Sequence, residues 1–266
     1  MTLLLHCALP GLAACLAIAL AVWVLSLMRQ DASIVDPFWP IMILAAGVTY
    51  AVCLQRAGPR GWIALSLAGA WAVRLSLHLG VRKWHDRTED RRYAAIRARN
   101  SPGFGFRSLY LVFGLQAVLA WIVSAPLGAA IASAGALNVL DLVGALVALF
   151  GLAFEATADW QLARFRVDPA SRGTVMDRGL WRYSRHPNYF GECCFWWGLG
   201  LIALAAGPHG AWALASPLLV TVLLLKVSGV GPLEADLVEH RQPYRDYIAR
   251  TPAFFPGRPR TPATKT

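Results

Sequence analysis

Residues 3–27 read LLLHCALPGLAACLAIALAVWVLSL, a run without Asp, Glu, Lys or Arg. A helix needs about 20 mainly apolar residues to cross about 30 Å of hydrocarbon, so this run can span a bilayer. No basic residues precede it, and it exceeds the apolar core of a signal peptide, so we read it as a retained helix. Six further apolar runs follow: Phe38–Leu54, Trp62–Leu79, Leu109–Ile131, Leu137–Ala158, Tyr189–Ala206 and Ala211–Val230. The second and sixth of the seven are short. Arg56-Ala57-Gly58-Pro59, Ser101-Pro102-Gly103 and Gly207-Pro208-His209-Gly210 punctuate the runs as turns. The sequence therefore predicts an all-α polytopic membrane protein, a bundle of about seven transmembrane helices. No internal repeat is visible, so residues 1–256 are expected to form a single domain, with 257–266 a flexible tail.

Composition agrees. Only 15% of the 266 residues are charged and 57% are hydrophobic, whereas soluble domains carry about 25% charged residues. That excludes a soluble enzyme, a disordered chain and a nucleic-acid-binding module, despite the net charge of +10. Of the 25 Lys and Arg, 21 fall on one side of the expected spans and two, Arg56 and Arg60, on the other. The positive-inside rule then puts the N-terminus outside and the C-terminus in the cytoplasm. Arg74 lies within a span and needs a partner, and Lys226 is close enough to a span end to snorkel. The five cysteines all lie in apolar runs without C-x-x-C spacing. They read as small apolar fillers, with neither a metal site nor a disulfide framework expected.

The chemistry concentrates in Asp177-Arg178-Gly179-Leu180-Trp181-Arg182-Tyr183-Ser184-Arg185-His186-Pro187-Asn188-Tyr189-Phe190-Gly191-Glu192. Guanidinium forks suit phosphate, and flat rings suit stacking on adenine or nicotinamide. Pro187 suits a helix entry, with Asn188 near the N-cap, where free backbone N–H groups attract anions. Upstream, Glu155, Asp159 and Arg166 share one helix face if the fifth span continues, and ionisable residues at a span end tend to mark a site. The blander reading, interfacial anchors beside positive-inside arginines, suits the arginines from Arg82 to Arg107 better than this ordered string.

The string Gly179–Glu192 resembles the C-terminal signature of the steroid 5α-reductase superfamily, closest to its bacterial DUF1295 branch. Weaker matches are Asp36-Pro37-Phe38-Trp39-Pro40, Arg74-Leu75, Asp90-Arg91-Arg92-Tyr93, and Pro243-Tyr244-x-x-Tyr247 followed by Phe254-Phe255-Pro256. The resemblance implies seven helices in a bacterial inner membrane and NADPH held on the cytoplasmic side. It further implies reduction of a carbon–carbon double bond conjugated to a ketone in a steroid-like lipid, an oxidoreductase activity on CH–CH groups. Carried over residue by residue, its cofactor contacts fall on Asp159, Arg166, Tyr183, Asn188 and Glu192, with Tyr244 from the tail. Chemistry and position add Arg178, Trp181, Arg185, His186 and Tyr189. The expected partners are a lipophilic small molecule and membrane lipid, not nucleic acid.

Two family features are missing. The steroid reductases hold the substrate ketone with a Gln-Glu pair and with a Tyr in a His-Tyr-x-x-Arg run. Here that run reads His78-Leu79-Gly80-Val81-Arg82, and no Gln-Glu pair exists. A carboxyl group in an apolar site stays protonated and can donate to an enolate, so Asp36 becomes the candidate catalytic acid, with His78 second. Arg166 and Arg185 are expected to bind the cofactor phosphates. The rival function is an S-adenosylmethionine-dependent membrane methyltransferase, whose family shares an Arg-His-Pro-x-Tyr-x-Gly core. Leu180-Trp181-Arg182-Tyr183, Asn188 and the Asp159–Arg166 pair favour the reductase. A channel or transporter is a third class, disfavoured because the polar groups collect on one side and no inverted repeat appears.

Overall fold

The computed structural model describes residues 2–86, 88–227 and 242–260. Its helices are α1 (Thr2–Arg29), α2 (Trp39–Leu54), α3 (Pro59–His85), α4 (Arg91–Arg99), α5 (Phe104–Ser108), α6 (Leu115–Val123), α7 (Ala125–Ala132), α8 (Val139–Val167), α9 (Pro187–Leu204) and α10 (Ala215–Val222), followed by a tail helix, Gln242–Arg250. No strand occurs among the described residues. Among the described residues, six helical stretches are long and apolar enough to cross a membrane: His6–Arg29, Ala32–Leu54, Pro59–His85, Phe104–Ala132, Val139–Val167 and Pro208–Val227. The protein is thus an all-α, polytopic integral membrane protein. The predicted run Tyr189–Ala206 is helical too, but α9 is only 18 residues long and carries Asn188 and Glu192 in its first two turns, which keeps it out of that set. The last three residues of the run ending at Val230, and residues 261–266 of the expected flexible tail, lie outside the described residues.

Local chemistry sets the helix boundaries. Pro59 opens α3 at a position where a missing N–H costs nothing. Asp31 accepts from the Ser33 N–H at 2.9 Å and starts the turn Ala32–Phe38 that feeds α2, while Asp90 caps α4 by accepting from Arg92 N at 3.0 Å.

The chain forms two compact units, Met1–Leu142 with Ile202–Ser216, and Val143–Leu201 with Pro217–Thr266. In the first unit, a methyl group on Gly11 would run into the Tyr50 ring, and the Tyr50 hydroxyl meets Ser124 Oγ at 2.9 Å. Arg60, 1% exposed, forms a fork with both Asp141 oxygens at 2.7 Å and also donates to Ser133 Oγ and the Ala136 carbonyl. These bonds offset the desolvation that makes a poorly paired buried charge costly. The cysteine expectation fails at one point: Cys7 and Cys53 form a disulfide, with their Cα atoms 5.7 Å apart. Packing of α1 beside α2 brings them together, a pairing that a separation of 46 positions conceals.

In the second unit α8 and α9 cross through small residues. A Cβ on Gly191 would stand 2.6 Å from Glu155 N and 2.8 Å from Gly151 O, and one on Gly198 would stand 2.6 Å from Gly144 O. Backbones this close are the small-residue mode of helix association in lipid.

Candidate functional site

The crossing of α8 and α9 brings the start of α9 against the polar end of α8. Asn188 Nδ2 donates to Asp159 Oδ1 at 3.1 Å. One residue earlier on α8, the Ala158 carbonyl accepts from Trp181 Nε1 at 3.0 Å. Two residues beyond Asp159, Gln161 Oε1 accepts from the Leu180 N–H at 2.9 Å. Gly179 adopts φ +56°, and its missing side chain makes room for the Gln161 amide. One turn of α8 therefore receives three separate parts of the Gly179–Glu192 string. The helix begins at Pro187, earlier than the apolar run suggested, so Asn188 lies inside its first turn rather than at its cap. Glu192, one turn further and half-buried, shares the Asn188 face of α9.

The rest of the string is fastened to the tail. Arg185, 9% exposed, donates from Nη1 to the Thr251 carbonyl at 2.6 Å and the Ile248 carbonyl at 3.1 Å, and its N–H bonds to Pro252 O at 2.9 Å. A guanidinium beside the last carbonyls of a helix also complements its dipole. Ser184 Oγ donates to Phe254 O at 2.8 Å, and the Tyr247 hydroxyl donates to the Trp181 carbonyl. Burial, foremost, keeps the Tyr247 phenol protonated well above its ordinary range. Asp177 pairs with Arg250 at 2.7 Å. The phosphate role expected of Arg185 thus falls on a side chain whose visible work is anchoring the tail. The His186 and Tyr189 rings stack nearly parallel, 8° apart with centroids at 5.5 Å. Tyr244 is buried beside the Tyr247 ring, whereas Tyr183, Arg178 and Arg166 are exposed.

Asp36 and His78 belong to the first unit. His78 is half-buried on α3, one turn after Arg74. Asp36 Oδ1 accepts from the Tyr93 hydroxyl at 2.5 Å and Oδ2 from Arg92 Nη2 at 3.1 Å, while Gln116 Nε2 donates to the Tyr93 oxygen at 2.9 Å. The sequence supposed an apolar site that keeps Asp36 protonated. The structure adds two polar partners to that buried carboxyl, the Tyr93 hydroxyl and the Arg92 guanidinium. Burial, and then the neighbouring Asp36 carboxylate, push the Tyr93 phenol well above its usual range. Nearby, Glu89 takes a two-pronged bond from Arg97, both contacts at 2.8 Å, and accepts from Ala32 N. Burial opposes charge on Glu89, but the Arg97 fork and the Ala32 N–H outweigh it and hold its carboxyl below the ordinary range.

A family profile described as "Protein of unknown function (DUF1295)" matches residues 22–251. The chain belongs to the DUF1295 family. No curated protein and no solved structure matches it. The matched stretch contains both clusters of this DUF1295 protein, the Asp159–Asn188 junction and the Asp36–Tyr93–Gln116 chain. Sequence reasoning missed Gln161, Tyr93, Gln116 and Tyr247 as members of these clusters. A glutamine within an apolar run was a usable signal for Gln116, and Tyr93 and Tyr247 stood in motifs already quoted. Gln161 carried no signal, because its role is set by the left-handed turn at Gly179.

Proposed function

We propose that this DUF1295 protein is a membrane-embedded reductase that uses NADPH to reduce a carbon–carbon double bond conjugated to a carbonyl in a lipophilic substrate. One observation supports this above the rest. Of the features that separate a reductase signature from the shared methyltransferase core, Leu180-Trp181, Asn188 and Asp159 meet on the α8 turn Ala158–Gln161, while Arg166, Arg182 and Tyr183 are exposed.

The residues present fit such a cofactor. Arg166 and Arg178 offer guanidiniums for phosphate, Tyr183 and Tyr189 offer flat faces, and Asp159, Asn188 and Glu192 offer directed polar groups. A carboxylate only accepts, so the bond to Asp159 must come from the Asn188 NH₂, which leaves Oδ1 as that side chain's acceptor for a carboxamide. NADPH, when bound, supplies the hydride; the protein supplies orientation and electrostatics.

The test is ligand-dependent stability of the detergent-solubilised protein. NADPH at about 100 times its Kd should stabilise the fold by about 2.7 kcal/mol, with a shift in nicotinamide fluorescence, while S-adenosylmethionine does nothing. Stabilisation by S-adenosylmethionine alone would replace this reading with the methyltransferase.

A further inference from the structure

An open groove of about 380 Å³ runs beside the last turn of α8. Arg164 and Arg178 line it over the apolar surfaces of Phe165 and Met176, with Asp168 and Ser171 at the turn that follows. We infer that this groove seats a phosphomonoester on a purine nucleoside, the adenosine 2′-phosphate of NADPH, and so sets the choice of NADPH over NADH. The inference rests on the reductase reading above.

Three observations carry it. First, the walls present two guanidiniums from separate segments, and a guanidinium fork pairs with phosphate oxygens in a planar, two-pronged way. Second, the nearby acidic groups are occupied. Asp168 Oδ1 accepts from Ala170 N at 3.0 Å, with Oδ2 3.5 Å from Ser171 Oγ, and Asp177 is paired with Arg250. A nucleotide site built for a bare ribose 2′-hydroxyl offers a carboxylate to it, while arginine accommodates the 2′-phosphate; here the one lining carboxylate, Asp168, is engaged in capping its own turn, and two arginines share the groove with it. Third, Arg164 Cζ lies 5.0 Å over the Trp160 ring, so one guanidinium face is already layered on an indole, an arrangement that a purine extends by stacking.

A lipid headgroup at this end of α8 could present similar phosphate chemistry, so the experiment separates the two sources. Full-length protein in nanodiscs of zwitterionic lipid is titrated with NADPH, NADH and adenosine 2′,5′-bisphosphate, and again with a short-chain phosphatidylglycerol. Arg164→Gln and Arg178→Gln should each weaken NADPH and the bisphosphate about 10- to 100-fold, the worth of a charge-assisted bond, and leave NADH within about threefold. Both side chains are exposed, so the melting temperature should not move. If both variants bind NADPH as the parent does, or lose NADH equally, the groove assignment is wrong and the reductase reading stands. If the parent binds neither NADPH nor the bisphosphate, the reductase reading itself falls. If phosphatidylglycerol alone depends on the two arginines, the groove is a lipid site and the inference is overturned.

Discussion

Asn188 donates its side-chain amide to Asp159 at 3.1 Å across 29 positions of sequence. Asp159 is 7% exposed, so this carboxylate sits where water compensates poorly for a lost partner. Asn188→Asp would set two carboxylates against each other and force one to take up a proton. We expect that variant to lose about 1–3 kcal/mol of stability, the penalty for an uncompensated buried polar group. The exchange Asp159→Asn with Asn188→Asp restores one acceptor and one donor and should recover at least half the loss. Thermal unfolding of the four proteins in one detergent gives the coupling directly; strict additivity would show that the bond contributes nothing.

Gly191 is needed for its lack of a side chain. A methyl group there meets backbone atoms of α8 at 2.6 and 2.8 Å, and backbone cannot rotate aside. Gly191→Ala should therefore cost about 1–3 kcal/mol, the range for overpacking. Gly80 on α3 has nothing within 4 Å of the same added atom. Gly80→Ala is the matched control and should be neutral, or stabilising by about 0.5–1 kcal/mol through helix propensity. Equal melting temperatures for the two variants would disprove the tight crossing.

The contrast between those glycines shows what a sequence makes legible. The apolar runs were readable because crossing hydrocarbon demands length and composition, which are local properties. The Gly179–Glu192 string was readable because its residue types are unusual for a membrane anchor. Its internal division of labour was not readable. Arg185 looks like a phosphate ligand in isolation, and only the fold shows its Nη1 bonded to the carbonyls of Ile248 and Thr251. The partners of Asp36 were hidden as well, because Arg92 and Tyr93 reach it from 56 and 57 positions away. Both cases share one cause: a side chain's partners can lie far from it in sequence.

Glu89 and Arg97 make acid stability testable. The folded Glu89 carboxyl titrates below its ordinary value, so its contribution is complete above an unfolded pKa of about 4.3 and is lost as pH falls through the lower folded value. Glu89→Gln should lower stability by about 1 kcal/mol at pH 7, since the pair is only partly screened from water. The difference between the two proteins should shrink as pH drops below about 4.3. Melting temperatures recorded from pH 7 down to pH 3 check this; a difference that grows on acidification would reverse the assigned sign.

The Cys7–Cys53 bridge ties compartment to topology. The excess of basic residues puts the start of α1 and the end of α2 on the same non-cytoplasmic side, and disulfides persist in oxidising compartments. Under denaturing, non-reducing conditions a maleimide should therefore modify three thiols, those of Cys15, Cys193 and Cys194, which are unpaired with one another, and all five only after reduction. Closing a loop of this length lowers unfolded-state entropy by an amount worth up to about 4 kcal/mol. Cys7→Ser should lower the melting temperature, and Cys53→Ser added to it should lower it little further, because the first change already opens the bridge. Five reactive thiols in protein taken from membranes without reductant would mean that the pair is reduced there. That result would remove both the staple and its support for an outward-facing N-terminus.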